Sequence, residues 1–243
     1  MAILVTRPLA DGETTAAALR AKGFKVLLAP MLRFEPVAFR DDGETTYAGV
    51  IATSANALRA IAPQLQGSPL LDLPLFAVGE TTAAAARGCG FAKVISAKSD
   101  AAGLRECILA GVKAKTPRKT GVLLYLAGAD LARDLPGELG ERGLTVVTRT
   151  TYRMVAVPNL PEETRNAFAA HEIEAVLHYS RRSARAFVEA VGTAGVEISS
   201  LSLPQGCLSA SIATVLRDAG AVRVFVAASP DEDALLVALG EQN

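Results

Sequence analysis

Short apolar runs alternate along this chain with stretches whose apolar residues recur every three to four positions, the pattern of buried strands followed by amphipathic helices. Residues 3–6 read as a strand, Arg7-Pro8 as a turn, and residues 11–22 as a helix stopped at Gly23. Residues 26–28 form a second predicted strand, and Pro30 leads into an extended segment, 32–37, that reads as a linker strand. Residues 50–54 are a short buried strand meeting a helix that begins near Ala55 and stops before Pro63. The same grammar returns in residues 75–78, the turn Gly79-Glu80-Thr81-Thr82, and a helix to Gly88. A crossover between parallel strands needs a covering helix, so this alternation predicts an α/β fold with parallel sheets of the doubly wound type.

The pattern occurs twice. Ile3-Leu4-Val5, Leu19, Gly23 and Val26 match Leu123-Leu124-Tyr125, Leu139, Gly143 and Val146 at an offset of about 120. Ser54, Arg59 and Ala60 match Ser180, Arg185 and Ala186. Thr81, Ala83, Arg87, Gly90, Val94, Ala97 and Ser99 match Ser211, Ala213, Arg217, Gly220, Val224, Ala227 and Ser229 at an offset of about 130. Three collinear blocks indicate a duplication. Repetition alone leaves open whether block 1–36 pairs in space with 45–112 or with 172–243. The extended segments 32–37 and 148–157 permit a swapped arrangement, in which they act as a hinge and a cleft lies between two lobes.

Composition narrows the classes. A chain of 243 residues accommodates two domains of about 100 to 130 residues each. Its 25 basic and 25 acidic residues cancel, so no global field draws it onto nucleic acid or an anionic membrane. The opening Met-Ala-Ile-Leu-Val-Thr-Arg-Pro lacks the features of a signal peptide, and no apolar run approaches the roughly 18 residues of a membrane span. A cytoplasmic protein is expected. Cys89, Cys107 and Cys207 lack CxxC spacing and read as buried thiols rather than as a disulfide framework or zinc site. Neither a Gly-x-Gly-x-x-Gly fingerprint nor a Walker lysine loop occurs, so a nucleotide cofactor has no support.

The candidate chemistry lies in hydroxyls at strand ends. Ser54 and Ser180 each stand just before a helix, and Thr81, Thr82 and Ser211 occupy the next equivalent turn. Each can simply cap its helix. Together they mark the edge at which doubly wound sheets bind ligands, where helix N-termini hold carboxylates or phosphates by their free amides. Such a site takes a polyanion without net positive charge. Arg7 follows the first strand at that edge, and Arg33, Arg149 and Arg153 lie on the linker segments; all four can add to the amides or stay solvated. Arg181 and Arg182 extend the Ser180 turn with the same two readings. No Ser-His-Asp pattern or metal cluster is evident, His171 and His178 being the only histidines. Tyr152, a phenol on the second linker, is either a packed strand residue or a weak acid that assists departure of a hydroxyl.

In order along nearly the whole chain, Thr6-Arg7-Pro8, Gly23, Pro30, Thr53-Ser54, Val78-Gly79-x-x-Thr82-Ala83, Gly143 with Tyr152, Tyr179-Ser180, and the stretch from Cys207 to Gly220 resemble the uroporphyrinogen-III synthase family. The resemblance implies two α/β lobes joined by a two-stranded linker, lobe one from residues 1–36 and 156–243 and lobe two from 37–155, with the active site in the cleft. It implies a cofactor-free lyase acting on hydroxymethylbilane, a linear tetrapyrrole with eight carboxylates. The reaction would be dehydration and closure to uroporphyrinogen III, with the last ring inverted through a spirocyclic intermediate. Tyr152 matches the family's linker tyrosine and is the catalytic candidate; the substrate-binding set is Arg7, Thr53, Ser54, Gly79, Thr81, Thr82, Ser180, Ser183 and Ser211. A monomer is expected, in transient contact with hydroxymethylbilane synthase. The chain departs from the family at Ile212, where a hydroxyl is common, and at Ala127-Gly128, where an arginine often precedes the glycine. Those departures sustain an alternative, a non-catalytic two-lobe module that binds an anionic metabolite.

Overall fold

The computed structural model describes residues 1–39, 45–98, 101–113, 121–131 and 133–241; Ser99 of the repeat lies outside the described residues. The elements run β1 (Ala2–Val5), α1 (Leu9–Ala21), β2 (Lys25–Leu28), β3 (Leu32–Pro36), β4 (Tyr47–Ala52), α2 (Ala55–Ile61), β5 (Pro74–Ala77), α3 (Glu80–Gly88), β6 (Lys93–Ser96) and α4 (Ala101–Lys113). They continue with β7 (Val122–Gly128), α5 (Leu135–Gly140), β8 (Thr145–Ala156), α6 (Glu162–Ala169), β9 (Ile173–His178), α7 (Arg181–Thr193), α8 (Glu197–Leu201), β10 (Gln205–Cys207), α9 (Ala210–Asp218), β11 (Val224–Val226) and α10 (Glu232–Gly240). The first helix starts two residues earlier than the periodicity indicates, because Pro8 stands immediately before it with a φ of −51° that already suits a helix entry. The extended segment 148–157 proves to be most of one twelve-residue strand, β8. Chain contacts divide the molecule into two units, Met1–Arg33 with Val155–Asn243, and Phe34–Met154.

Unit 1 is built on a five-stranded sheet in the order β11-β10-β9-β1-β2. The pairs β1·β2, β1·β9, β9·β10 and β10·β11 are all parallel. Ile3, Leu4 and Val5 are wholly buried, as a central strand covered on both faces must be, and each such side chain contributes about 1.5–3 kcal/mol. Leu4 and Val176 face a core filled by Ala184, Phe187 and Ala190 of α7 and Leu216 of α9. Ile3, Val5, Ala175 and Leu177 face the other way, toward Leu19 of α1 and Leu235 and Leu239 of α10.

One polar network crosses the first of these cores. His178 is fully buried at the end of β9, with Nε2 2.9 Å from Gln205 Oε1 and Nδ1 3.4 Å from Thr6 Oγ1. Gln205 Nε2 donates to the carbonyls of Ser200 and Leu203, and Thr6 Oγ1 donates to that of Leu177. Burial holds the imidazole in its neutral form, lowering its pKa from 6.5 to about 4.

Unit 2 carries a six-stranded sheet in the order β3-β8-β7-β4-β5-β6, parallel from β8 to β6. Val50, Ala52, Leu124 and Leu126 pack on Leu58 of α2 and Ala83 and Ala86 of α3. Ile51, Phe76, Leu123 and Tyr125 pack on Leu104 and Ile108 of α4 and Leu135 and Leu139 of α5. Val37 N donates to Thr151 O and Val157 N donates to Met31 O. The later residue on β3's side meets the earlier one on β8's, so the two run antiparallel. Of the three cysteines only Cys207 is buried; Cys89 and Cys107 are partly exposed, because Cys89 caps the C-terminus of α3 and Cys107 lies on α4, neither being on a central strand. No helix among the described residues is long and apolar enough to cross a membrane.

Candidate functional site

Both units reverse strand order once. In unit 1 the chain steps from β1 outward to β2 and from β9 outward through β10 to β11, so the reversal falls between β1 and β9. In unit 2 it steps from β4 through β5 to β6 and from β7 to β8, so the reversal falls between β4 and β7. Chain segments diverge to opposite faces at such a point and leave a crevice beyond the carboxyl ends of the strands, where ligands of open α/β sheets bind. The segments leaving the four strands there are Thr6-Arg7, Tyr179-Ser180, Thr53-Ser54 and, after Gly128 at the end of β7, Ala129.

At the unit 1 reversal Ser180 caps α7: its Oγ accepts from Ser183 N at 3.1 Å and lies 2.9 Å from Ser183 Oγ. Ser183 is buried, so this pairing satisfies its hydroxyl within the protein. Arg7 is less free than a surface arginine. Its Nη1 donates to Thr15 Oγ1 at 3.0 Å and lies 3.5 Å from Glu232, Nη2 lies 3.9 Å from Asp11, and the guanidinium stands 4.3 Å over the Tyr179 ring. A ligand carboxylate at Arg7 has to share it with Glu232 and Asp11. Tyr179 Oη also donates to Glu232, and burial together with that carboxylate pushes the phenol's pKa up. Arg181 and Arg182 are exposed.

At the unit 2 reversal Ser54 caps α2, accepting from Asn56 N at 3.2 Å. Thr53 Oγ1 is 2.8 Å from Tyr125 Oη. Tyr152, on β8, lies opposite the end of β7, and the face it takes depends on one irregularity. Residues of β7 and β8 pair in step from Val122↔Thr145 to Ala127↔Thr150, and then Gly128 pairs with Tyr152. Thr151 is the extra residue of a bulge, buried, with Oγ1 donating to Ala127 O. Side chains alternate faces along a strand. In step, Tyr152 would share the face of Tyr125; the bulge turns it to the face of Leu124 and Leu126, where it joins their core.

Three contacts seat the ring there. Tyr152 stacks on Phe34 of β3 at 5.6 Å between centroids, its carbonyl accepts from Ala129 N at 2.9 Å, and the phenol lies over Gly128. A Cβ on Gly128 would stand 2.7 Å from Tyr152 Cζ and 2.9 Å from its hydroxyl, so the glycine is what makes room. Arg153, the next residue, is exposed and tied to Glu35.

The second turn of each unit differs from the first. Gly79 and Ser209 are the N-caps of α3 and α9, both extended, and neither helix has a side-chain cap. Their first amides are therefore open to a ligand. Thr81 and Ser211 are the exposed second residues of these helices, and Ser211 Oγ lies 3.1 Å from Ser209 Oγ. Thr82 and Ile212 occupy equivalent buried positions, 5% and 3% exposed. Exchange of the hydroxyl for an ethyl group at Ile212 is thus an exchange made facing the core. Glu80 leads α3, and its hydrogen bond to Arg87 lowers its pKa.

Sequence reasoning picked Ser54, Ser180, Arg7 and Tyr152 but passed over Tyr125, Gly128, Phe34 and Glu232. One signal was available: Tyr125 is a phenol in the otherwise apolar run Val-Leu-Leu-Tyr-Leu-Ala, where the first copy has Val5. Among the described residues no three His, Cys, Asp or Glu side chains come together to hold a metal ion.

Two doubly wound units, each gathering hydroxyls and helix N-termini at its strand reversal, define an α/β protein suited to a small anionic ligand. Residues 13–237 match the model of the family described as uroporphyrinogen-III synthase HemD. The chain belongs to the uroporphyrinogen-III synthase family, and its activity is that family's reaction in tetrapyrrole biosynthesis. Its fold is similar to the crystal structure of uroporphyrinogen-III synthetase from Helicobacter pylori 26695, at 18% identity, TM-score 0.67, and coverage of 100% of this chain and 99% of that one. It is also similar to a mutant uroporphyrinogen III synthase from the extremely thermophilic bacterium Thermus thermophilus, at 19% identity, TM-score 0.55, and coverage of 99% and 98%. No curated protein matches the sequence.

Proposed function

We propose that this enzyme is a lyase that dehydrates and closes hydroxymethylbilane, with Tyr152 as its one acid and the rest of the site devoted to folding the substrate. The pyrrole nitrogen pushes out the hydroxyl as the C–O bond breaks, and Tyr152 donates the proton with which it leaves as water. The azafulvene that remains is attacked by the substituted carbon of the last ring. The resulting spirocycle fragments and recloses with that ring inverted, and loss of the ring proton restores the aromatic pyrrole and returns a proton to the phenolate. Orientation supplies most of the acceleration, since no strong acid or base is needed.

The carrying observation is the seat of Tyr152: a bulge, a glycine beneath the ring and a stacked Phe34 hold one phenol on β8 opposite the end of β7, beside the unit 2 reversal. A core tyrosine needs packing, but no such clearance under its hydroxyl. Each unit offers its own anion contacts: in unit 2 the open amides of α3 at Gly79, Thr81 and Thr82, with Thr53 and Ser54, and in unit 1 the open amides of α9 at Ser211, with Ser180 and Arg7; Ser183, buried and paired with Ser180, supports that cap instead.

The enzyme in this reading is a cytoplasmic monomer. Because hydroxymethylbilane also closes unaided to the unflipped isomer, transient contact with hydroxymethylbilane synthase would shorten its free lifetime. The test is to generate hydroxymethylbilane in place with its synthase, oxidise the products and separate the porphyrin isomers. Wild type is expected to give the type III isomer. Tyr152→Phe is expected to lower kcat by on the order of 10²-fold, and undiminished turnover would remove Tyr152 from the mechanism.

A further inference from the structure

Tyr125 has no part in the reaction just described, yet it stands at the same strand reversal. It is 3% exposed in the middle of a parallel sheet, where its counterpart Val5 is wholly buried. A hydroxyl in such a place costs desolvation unless it is paired, and packing alone would be met by a phenylalanine. Among the described residues the Tyr125 hydroxyl is paired with Thr53 Oγ1 at 2.8 Å, across the adjacent strands β7 and β4. Thr53 is half-buried, so the hydroxyl that Tyr125 holds is also one that a ligand can reach. We infer that Tyr125 is a positioning residue for ring closure, its buried hydroxyl fixing the Thr53 hydroxyl so that Thr53 and Tyr152 meet the substrate in one arrangement.

Two further observations support this. Burial raises the pKa of Tyr125, against the lowering effect of the Thr53 hydrogen bond, and the nearby Tyr152 phenol adds to the rise. A raised pKa keeps the Tyr125 phenol protonated, so Thr53 keeps an unchanging partner. Thr53 Oγ1 has few other ways to be held: it follows the last residue of β4, and Ser54, not Thr53, caps the helix that comes next.

The inference rests on Tyr152 and Thr53 acting at the substrate, and the experiment separates the two levels. Tyr125→Phe, Thr53→Val, Thr53→Ser and Tyr152→Phe are compared in kcat, KM and the ratio of type III to type I product. Tyr125→Phe is expected to lower kcat about 10-fold, with KM little changed and a larger share of type I product, since a displacement of about 1 Å costs up to 10²-fold. Thr53→Val should match it, the double variant should be no slower than either single, and Thr53→Ser should retain most of the wild-type rate. Wild-type kcat and isomer ratio in Tyr125→Phe, beside a slow Tyr152→Phe, overturns this inference alone, even if the variant melts earlier. Additive losses in the double variant overturn it too. If Tyr125→Phe fails to fold, wild-type turnover by Thr53→Val overturns it, and a loss rescued in Thr53→Ser upholds it. Full activity in Tyr152→Phe instead overturns the reading of Tyr152.

Discussion

Replacing Gly128 with alanine tests whether the position of one phenol sets the rate. The added Cβ would lie 2.7 Å from Tyr152 Cζ, 2.9 Å from its hydroxyl and 3.0 Å from Cε1, while ordinary contact begins near 3.4 Å. The ring must therefore retreat by about 0.7 Å. It cannot do so freely, because Phe34 stacks on it and the Thr151 bulge fixes its backbone from the other side. Overpacking of this kind costs about 1–3 kcal/mol of stability, and a misplacement approaching 1 Å costs up to about 10²-fold in rate. Urea unfolding gives the first quantity and the coupled isomer assay the second. The expected result is a folded protein that is destabilised within that range, has kcat reduced at least 10-fold and releases more type I product. A folded Gly128→Ala protein with wild-type kcat and isomer ratio would falsify the claim that the clearance over Gly128 positions Tyr152 for chemistry.

Two further predictions concern unit 1. The pKa of His178 is about 4 in the folded state against 6.5 when free, so the unfolded chain binds the proton first. The contribution of its neutral burial is complete above pH 6.5 and is lost progressively as pH falls toward 4, about 3 kcal/mol in all. Urea unfolding of wild type and His178→Gln at pH 7 and pH 4.5 should show wild type losing more stability by most of that amount; parallel losses would contradict the assignment. Ser180→Ala removes the cap of α7 and the partner of buried Ser183, and is expected to cost about 1 kcal/mol. It should also raise KM for hydroxymethylbilane, and an unchanged KM with lowered stability would leave Ser180 a cap only.

The class of fold was readable in the sequence because hydrophobic periodicity is local. A strand such as Ile3-Leu4-Val5 and a helix stopped at Gly23 announce themselves within twenty residues, and their recurrence from Leu123 to Gly143 marks a second copy. Hydroxyls before helices were readable for the same reason, since Ser54 and Ser180 bond amides two and three residues away. Tertiary structure decided which strands became neighbours: β1 lies beside β9, 171 residues on in the pair Ala2↔Ile173, and that pairing creates the reversal at which Arg7 and Ser180 stand. It also decided that Arg7 is shared with Glu232, which is 225 residues away. The orientation of Tyr152 was the furthest from view. Strict alternation puts it on the face of Tyr125, and only a one-residue slip against β7, taken up by Thr151 and tolerated because residue 128 has no Cβ, turns it over. Propensity and spacing are properties of neighbours in the chain; register, shared charges and clearance belong to neighbours in space, and the second set exists only once the sheets have formed.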